Sequence, residues 1–548
     1  VVAAPSAHPL AALRRPGSIR LRCAAVVRAV EDNLSAHFRL DRSGLPALAE
    51  RVAALIQRRF PDGRVPLHSR WRHFGAGGVD RKAELDAQLA GRGALDVARA
   101  QFDLAVISVL LDAGAGPQWR YVERQEIDRM ALPLQQRGSD ELLALLDRVN
   151  TGRPKPAAAA PAAAPSAKPA QASTVSPEAP HEPAPDAAAA TAPEADADAD
   201  ADADTASDTA RHTAPEASAD PAEPPAAAQA TAAPAAAEPS SPPPPTRDDG
   251  PAYARSEGLA VASLRAFMAG AFSSTGGEPL RADASALKAV DVTALRAMFQ
   301  SNPSNPLLGV EGRAGLLNRL GEAVAEEART RGGPARPAVL FDRLALDARG
   351  TLRPEVSAAE ILGEVLRLLA PVWKSGSTVQ GLPAGDVWPH RWAGAEADDG
   401  QGGHAPDRTT AGWVPFHKLS QWLTCSLIEP LQWAGVRVTG LQALTGLPEY
   451  RNGGLFIDGG VVVPRSSQAL QRRYKPGDEF IVEWRALTVV LLDELAALVR
   501  QRLGRSADEL PLLAILEGGT WLAGRELAAE LRPGGAPPVQ IDSDGTVF

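Results

Sequence analysis

The residues best suited to chemistry crowd into one short stretch: His68, Arg70, Trp71, Arg72 and His73, with Asp80 a few positions on. Guanidinium forks match carboxylates and phosphates, imidazoles move protons near neutral pH, and an indole offers a flat wall for stacking. Such groups are costly to desolvate together unless they satisfy one another or a ligand. Two readings follow, a binding site or a buried polar network that fixes a turn. The order of residues fits neither the 3.6-residue period of a core helix nor the two-residue period of a strand.

A second group lies far downstream. His417, Lys418 and Gln421 stand at the head of an amphipathic segment, with Gln421 one helical turn on, so the three can converge on a ligand. The plain alternative is a lysine on a solvated face. Glu449, Tyr450, Arg451 and Asn452 lie between Pro448 and the pair Gly453-Gly454. An acid held beside Tyr and Arg on such backbone can be positioned and its pKa tuned; an ordinary Glu–Arg turn is the alternative. Arg255, Ser256 and Glu257 open a helix, where Ser256 is a plausible N-cap and Glu257 complements the dipole as readily as it serves catalysis. Asp458 and Asp80 are reserve acids. His68, His73 and Asp80 match no helical metal-ligand spacing, so no metal and no other cofactor is expected. There is no P-loop, no dinucleotide fingerprint, no His-Glu-x-x-His and no nucleophile elbow.

The elements that must carry these groups are mostly helices. Apolar residues recur at helical spacing over 19–34, 45–59, 95–111, 256–269, 284–299, 313–329, 358–369, 416–433 and 483–503. The stretch 104–111 is apolar almost all round, as a central buried helix would be. Two short β-prone runs around Gly459-Gly460 predict a hairpin over 455–463. Between 154 and 249 the chain turns to Ala, Pro, Asp, Glu, Ser and Thr, with an alternating Ala-Asp run at 195–204. With so few large apolar residues it cannot offset its ordering entropy, and disorder is expected. Site-like strings flank it on both sides, and loop-closure cost grows only logarithmically with length. The expected architecture is therefore mainly α: one discontinuous helical domain with a small β-hairpin element, formed by 1–153 and 250–548 and interrupted by a long disordered insertion at 154–249.

Composition narrows the setting. A net charge of -9, much of it inside the low-complexity tract, gives no case for nucleic acid or a membrane surface as partner. The two cysteines, Cys23 and Cys425, exclude a disulfide framework and point to a reducing compartment, so a cytoplasmic location is expected. No apolar run is long enough to span a bilayer, and residues 1–10 lack the basic and apolar regions of a secretory signal. Oligomeric state is left open.

Taken together, several strings resemble the uracil-catabolism proteins of the ring-opening URC pathway, a family long catalogued as a domain of unknown function. They are 68–73, 77–81, the Ser108 to Gly116 run ending Asp112-Ala113-Gly114-Ala115-Gly116, 255–263, 414–422, 446–454, 483–488 and 517–548. Where the family runs directly from Trp119-Arg120-Tyr121 towards Arg255-Ser256-Glu257-Gly258, this chain inserts the low-complexity tract. A fainter resemblance, to the queuosine-nucleotide N-glycosidases, rests on Lys418 and Gln421 in a Phe-x-Lys-x-x-Gln string and on the Glu449-Tyr450-Arg451 triplet. That family's triplet begins with a catalytic Asp; here the acid is Glu, one methylene longer.

The resemblances imply a hydrolase acting after pyrimidine ring opening, on a ribosylurea-type small molecule with or without a phosphate, cleaving the N-glycosidic bond and releasing urea. Such a step passes through an oxocarbenium-like state. On this expectation Glu449 activates water and stabilises the cation, while Lys418 and Arg451 orient it or hold sugar hydroxyls. Arg70, Arg72 and His68 grip a phosphate, and Trp71 walls the pocket. His73, Asp80, Arg255, His417, Gln421, Tyr450, Asn452 and Asp458 complete the substrate contacts. The alternatives are amidohydrolase-type cleavage of the ureido group and a non-catalytic scaffold for the ring-opening enzyme.

Overall fold

Two short strands tie together chain that is far apart in sequence. Arg120–Val122 pairs antiparallel with Ala252–Ala254, Tyr121 opposite Tyr253, and the Glu123 amide donates to the Pro251 carbonyl at 3.0 Å. The computed structural model describes residues 10–112, 114–116, 118–123, 250–373, 376–394 and 410–542. The expected disorder of 154–249 and the terminal string 543–548 lie outside them.

The rest is mainly helical, with small two-stranded pairings among the described residues. The helix Ala94–Leu110 runs through the core, and Phe102, Leu104, Ile107 and Leu110 are fully buried. Its buried Asp103 accepts from the Ala282 and Ala338 amides at 2.9 and 2.7 Å and pairs with Arg336, so the one buried charge on this helix is satisfied by backbone and guanidinium. Arg255–Met268 and Lys418–Trp433 pack against it, and Glu479–Leu503 packs on Pro16–Glu31 and Leu45–Arg59. The predicted helices over 45–59 and 358–369 form with those bounds. The one predicted over 284–299 is two, Ala284–Ala289 and Val292–Met298. Asp291 breaks the run because its carboxylate caps the second helix at the Ala294 amide, 2.7 Å away.

The predicted hairpin over 455–463 does not form. Tyr450–Asp458 is a helix, capped by Glu449, that buries Leu455 and Phe456 on one face. Gly459 and Gly460 (φ +72°) end that helix rather than turn a hairpin. Val462–Pro464 pairs instead with Phe38–Leu40, more than four hundred residues upstream. A short apolar run reads equally well as strand or helix, and here the cap decided. The helix also needs its glycines: a Cβ on Gly453 would stand 2.5 Å from the Trp484 ring, and one on Gly524 of the neighbouring helix 2.1 Å from the Arg451 carbonyl oxygen. The stretch from Arg70 to Phe74, which fits neither period, is a helix of little more than one turn.

Candidate active site

A cavity of about 1110 Å³ opens where these elements meet. That is at or beyond the upper end of the usual range for small-molecule sites, roughly 300–1,000 Å³. His68, His73, Arg255, Lys418, Glu449, Tyr450, Arg451 and Asn452 all line it. Residues separated by more than three hundred positions are thus brought to one wall, by the helix starts at Arg70, Arg255, Lys418 and Tyr450.

Glu449 sits at the N-terminus of Tyr450–Asp458. Its carboxylate accepts from the Arg451 amide at 2.8 Å and the Asn452 amide at 2.6 Å. Burial is the strongest influence on it and raises its pKa; the two amides and the charges of Lys418 and Arg451 oppose that without reversing it. Lys418 answers in the opposite sense. Burial lowers its pKa, with the Glu449 charge resisting. Burial and the neighbouring Glu449 charge push the Tyr450 hydroxyl up to about 12, so it stays protonated and able to donate. Asn452 is locked, its amide nitrogen donating to the Leu447 carbonyl and its oxygen accepting from the Thr520 hydroxyl at 2.8 Å.

Lys418 owes its position to Asp386, a residue with no sequence signal of its own. The Asp386 carboxylate accepts the Lys418 backbone amide at 3.0 Å and the Trp388 indole at 2.7 Å, and takes both guanidinium nitrogens of Arg485 at 2.7 Å. Burial works against its charge, yet Arg485 outweighs burial and brings its pKa down to about 2. His417, just before the helix, has φ +49°, a strained conformation for a non-glycine residue, and its Nε2 bonds the Leu13 carbonyl.

A second wall holds polar atoms left without partners. The Asp112 residue is 8% exposed; one of its oxygens pairs with Arg70 at 3.0 Å and the other has no hydrogen-bond partner among the described residues. His73 Nδ1 and Trp422 Nε1 are likewise buried and unpartnered, and all three residues line the cavity. Burial, helped by the Arg70 charge, holds His73 at about 4, so it is neutral at physiological pH. His68 stacks on Trp422 with ring centres 6.1 Å apart and bonds Glu517 at 2.9 Å. Burial resists the Glu517 charge, but the His68 bond, with the Arg59 charge nearby, holds its carboxyl below the ordinary range. Glu517 lies in a π-helical turn, Leu516–Thr520, whose carbonyls at 517 and 518 accept from Arg59 at 2.5 and 3.0 Å.

Several expected contacts fall elsewhere. Arg70 is fully buried and bonded to Asp112, Ser108 and the Ser256 carbonyl, and Arg72 pairs with Glu429 at 2.5 Å; neither lines the cavity. Trp71 packs edge-on against Phe74 and Trp433 and donates to the Ser426 carbonyl; the wall is Trp422 instead. Asp80 caps Arg81–Leu89 through the Ala83 amide. Gln421 is tied to Thr445, and Asp458 pairs with Arg532 at 2.8 Å. Neither they nor His417 line the cavity. Asp112, Trp422, Arg120 and Arg525 line it and were not among the expected contacts. Asp112 carried one signal, an acid directly after the nearly all-apolar stretch 104–111, which must be paired or face a cavity.

The chain belongs to the family described as a protein of unknown function, DUF1688, whose pattern it matches over residues 12–132 and 243–548. Among its relatives, Protein urg3 of Schizosaccharomyces pombe is 30% identical over 550 residues, covering 99% of this chain and 100% of that protein. Uracil catabolism protein 4 of Lachancea kluyveri is 27% identical over 569 residues, covering 99% of each. The likeness to the uracil-catabolism family that the sequence strings carry is borne out.

Proposed function

We propose that this protein acts in uracil catabolism after the pyrimidine ring has been opened, hydrolysing the N-glycosidic bond of a ribosylurea-type intermediate to a sugar and urea. Full-length similarity to a relative named for uracil catabolism supports the pathway. The observation that carries the reaction is Glu449: a carboxylate fixed by two backbone amides on the cavity wall, its pKa raised by burial, with Lys418 lining the same cavity. A raised pKa makes a carboxylate a stronger base, and proximity to the anomeric carbon lets its charge stabilise an oxocarbenium-like transition state.

In this reading Glu449 takes a proton from water as the water oxygen bonds to the anomeric carbon. The C–N bond breaks and its electron pair goes to the ureido nitrogen, which takes up a proton and leaves as urea. Lys418, with its lowered pKa, lies on the same wall to donate to that nitrogen or to the sugar hydroxyls. A ureido group offers N–H donors and a carbonyl acceptor, and the unpartnered Asp112 oxygen and Trp422 indole N–H complement both.

The test is product analysis with ribosylurea and its 5-phosphate, wild type beside Glu449→Gln. Release of urea and free sugar by wild type alone supports the assignment. Ribosylamine with ammonia and carbon dioxide as products would move the cleavage to the ureido C–N bond, and absence of turnover with either substrate would leave the binding or scaffold role.

A further inference from the structure

A second ligand feature lines the same cavity. The fully buried guanidinia of Arg70, Arg81 and Arg485 each face a carboxylate, at Asp112, Glu123 and Asp386, and that of Arg313 is met by three backbone carbonyls, of Leu111, Leu308 and Gly114. Arg451 has neither arrangement. It is 9% exposed, and among the described residues the one hydrogen bond of its guanidinium goes to the Gly535 carbonyl at 2.9 Å. Among the described residues no acid lies within ion-pair distance of it, because the Glu449 carboxylate is turned to the backbone amides. A buried cation without a counter-charge is costly unless something anionic completes it.

Its neighbours make that cost larger. Arg255 and Arg525 line the same cavity, and neither has a carboxylate within ion-pair distance among the described residues. Burial lowers the pKa of Arg451 and the charges of Arg255 and Arg525 lower it further; Arg255 is in turn pressed by Arg525 and Arg120. Arg255 holds φ +52°, a conformation costly for a side chain of its size. It opens the helix Arg255–Met268, whose first-turn residues Ser256 and Glu257 also line the cavity, so the positive end of the helix dipole adds to the same field. The other acids of this region are engaged: Glu530 with Arg51, Asp542 with Arg473 and Asp458 with Arg532. Glu257 opposes the field at Arg255, and the Glu449 charge opposes it at Arg451.

We propose that Arg255, Arg451 and Arg525 seat a phosphate monoester, so that the ligand is a 5-phosphorylated pentose derivative rather than a free nucleoside-type ureide. This rests on the hydrolase reading for the pentose but not for the phosphate. The Glu449 carboxylate contacts the Arg451 amide, and the Arg451 guanidinium lies at the far end of that side chain. Glu449 and the three arginines line one cavity, so a pentose held there can turn its anomeric carbon to the acid and its 5-phosphate to the arginines.

The experiment is thermal unfolding of the full chain titrated with inorganic phosphate, ribose 5-phosphate, ribose, and sodium chloride at matched ionic strength. Wild type is compared with Arg525→Ala and with Arg255→Ala/Arg525→Ala. Both arginines are exposed, so the unliganded melting temperature should hardly move. Phosphate should raise the wild-type melting temperature saturably, ribose 5-phosphate more so, and ribose and chloride not. The double variant should bind phosphate about tenfold or more weakly. Equal responses to phosphate and chloride, or an unchanged phosphate affinity in the double variant, would overturn the proposal. Because phosphate binding is read without turnover, the seat can stand if the glycosidase reaction fails, and the reaction can stand on an unphosphorylated substrate if the seat fails.

Discussion

Replacing Asp386 by Asn tests whether the pair beneath Lys418 is a determinant of both stability and site geometry. The carboxylate accepts two guanidinium nitrogens, one indole N–H and one helix-start amide. Its pKa falls from the ordinary 3.8 to about 2. At about 1.36 kcal/mol per pKa unit, that gap corresponds to about 2–3 kcal/mol of pH-dependent stability. Because the folded-state pKa is the lower one, the contribution is complete above about pH 4 and is lost as the pH falls from about 4 towards 2. The Asn variant should lose more than this at pH 7, about 3–5 kcal/mol, since Arg485 is left charged and buried without a counter-ion. For a folded body this large each kcal/mol moves the melting temperature by about 1–2 °C, so a fall of roughly 3–10 °C is expected by circular dichroism. Two further measurements isolate the cause. Asp386→Asn/Arg485→Met should recover most of the loss, because the orphaned charge is gone. The gap between wild type and Asp386→Asn should also narrow below about pH 4, as the wild type protonates. A single variant within 1 °C of wild type, or a gap that stays constant down to pH 2.5, would show that the pair does not hold this part of the fold.

Glu449→Gln should lower turnover about a hundred- to ten-thousand-fold while ligand-induced stabilisation persists, since Gln keeps an acceptor for the helix cap but neither ionises nor takes a proton; near-normal activity would reassign the base. The acid limb of the rate profile should lie above the ordinary glutamate value of about 4.3, because the Glu449 pKa is raised and activity falls as the pH drops through it; a limb at or below that value would contradict the burial argument. Arg70→Ala should act on stability, by about 3–5 kcal/mol through the stranded Asp112 carboxylate, and a raised KM for a phosphorylated substrate at unchanged melting temperature would restore Arg70 to the ligand. Deleting 156–246 with a short flexible joint should shift the melting temperature by no more than a few degrees, because the flanking strands meet at Glu123 and Pro251; a cooperative loss of structure would show that the deleted tract packs on the fold.

The helices were legible where burial is one-sided or complete. The apolar period over 45–59 and 358–369 gives their bounds because each buries a single stripe. The 455–463 run reads as strand because Leu455, Phe456 and Val461 to Val463 are all β-compatible, and what makes a helix there is the carboxylate of Glu449, ten residues before the first of the glycines that looked like a turn. The same residue was legible as chemistry but not as a cap. In the His68 segment, residue type marked a polar network but could not say which members face the ligand. In so short a helix the facing is set by what packs on it, and Ser108, Asp112, Ser426 and Glu429 come from two other helices or their ends. Asp386 was invisible for a related reason, since a lone acid 99 positions from its arginine has no local pattern.

The π turn at Leu516–Thr520 has a consequence for how the cavity could change over time. A π turn holds one more residue than the α turn it replaces, and each residue advances an α-helix by about 100°. The segment therefore works as a phase shifter. Near its start it presents Glu517 to His68, and downstream it presents Trp521 and Arg525 to the cavity, two aspects that an unbroken α-helix would hold at a different angle. Loss of either Gly518 or Gly519 by a one-codon deletion would restore a continuous α-helix and turn one set away from the ligand while the other stayed put. The glycines are also where the turn touches Ile56 and Val52, too close for a Cβ. Length and side-chain size in these five residues are thus coupled constraints: the cavity can be retuned by exchanging residues around it, but not by changing the number of residues here.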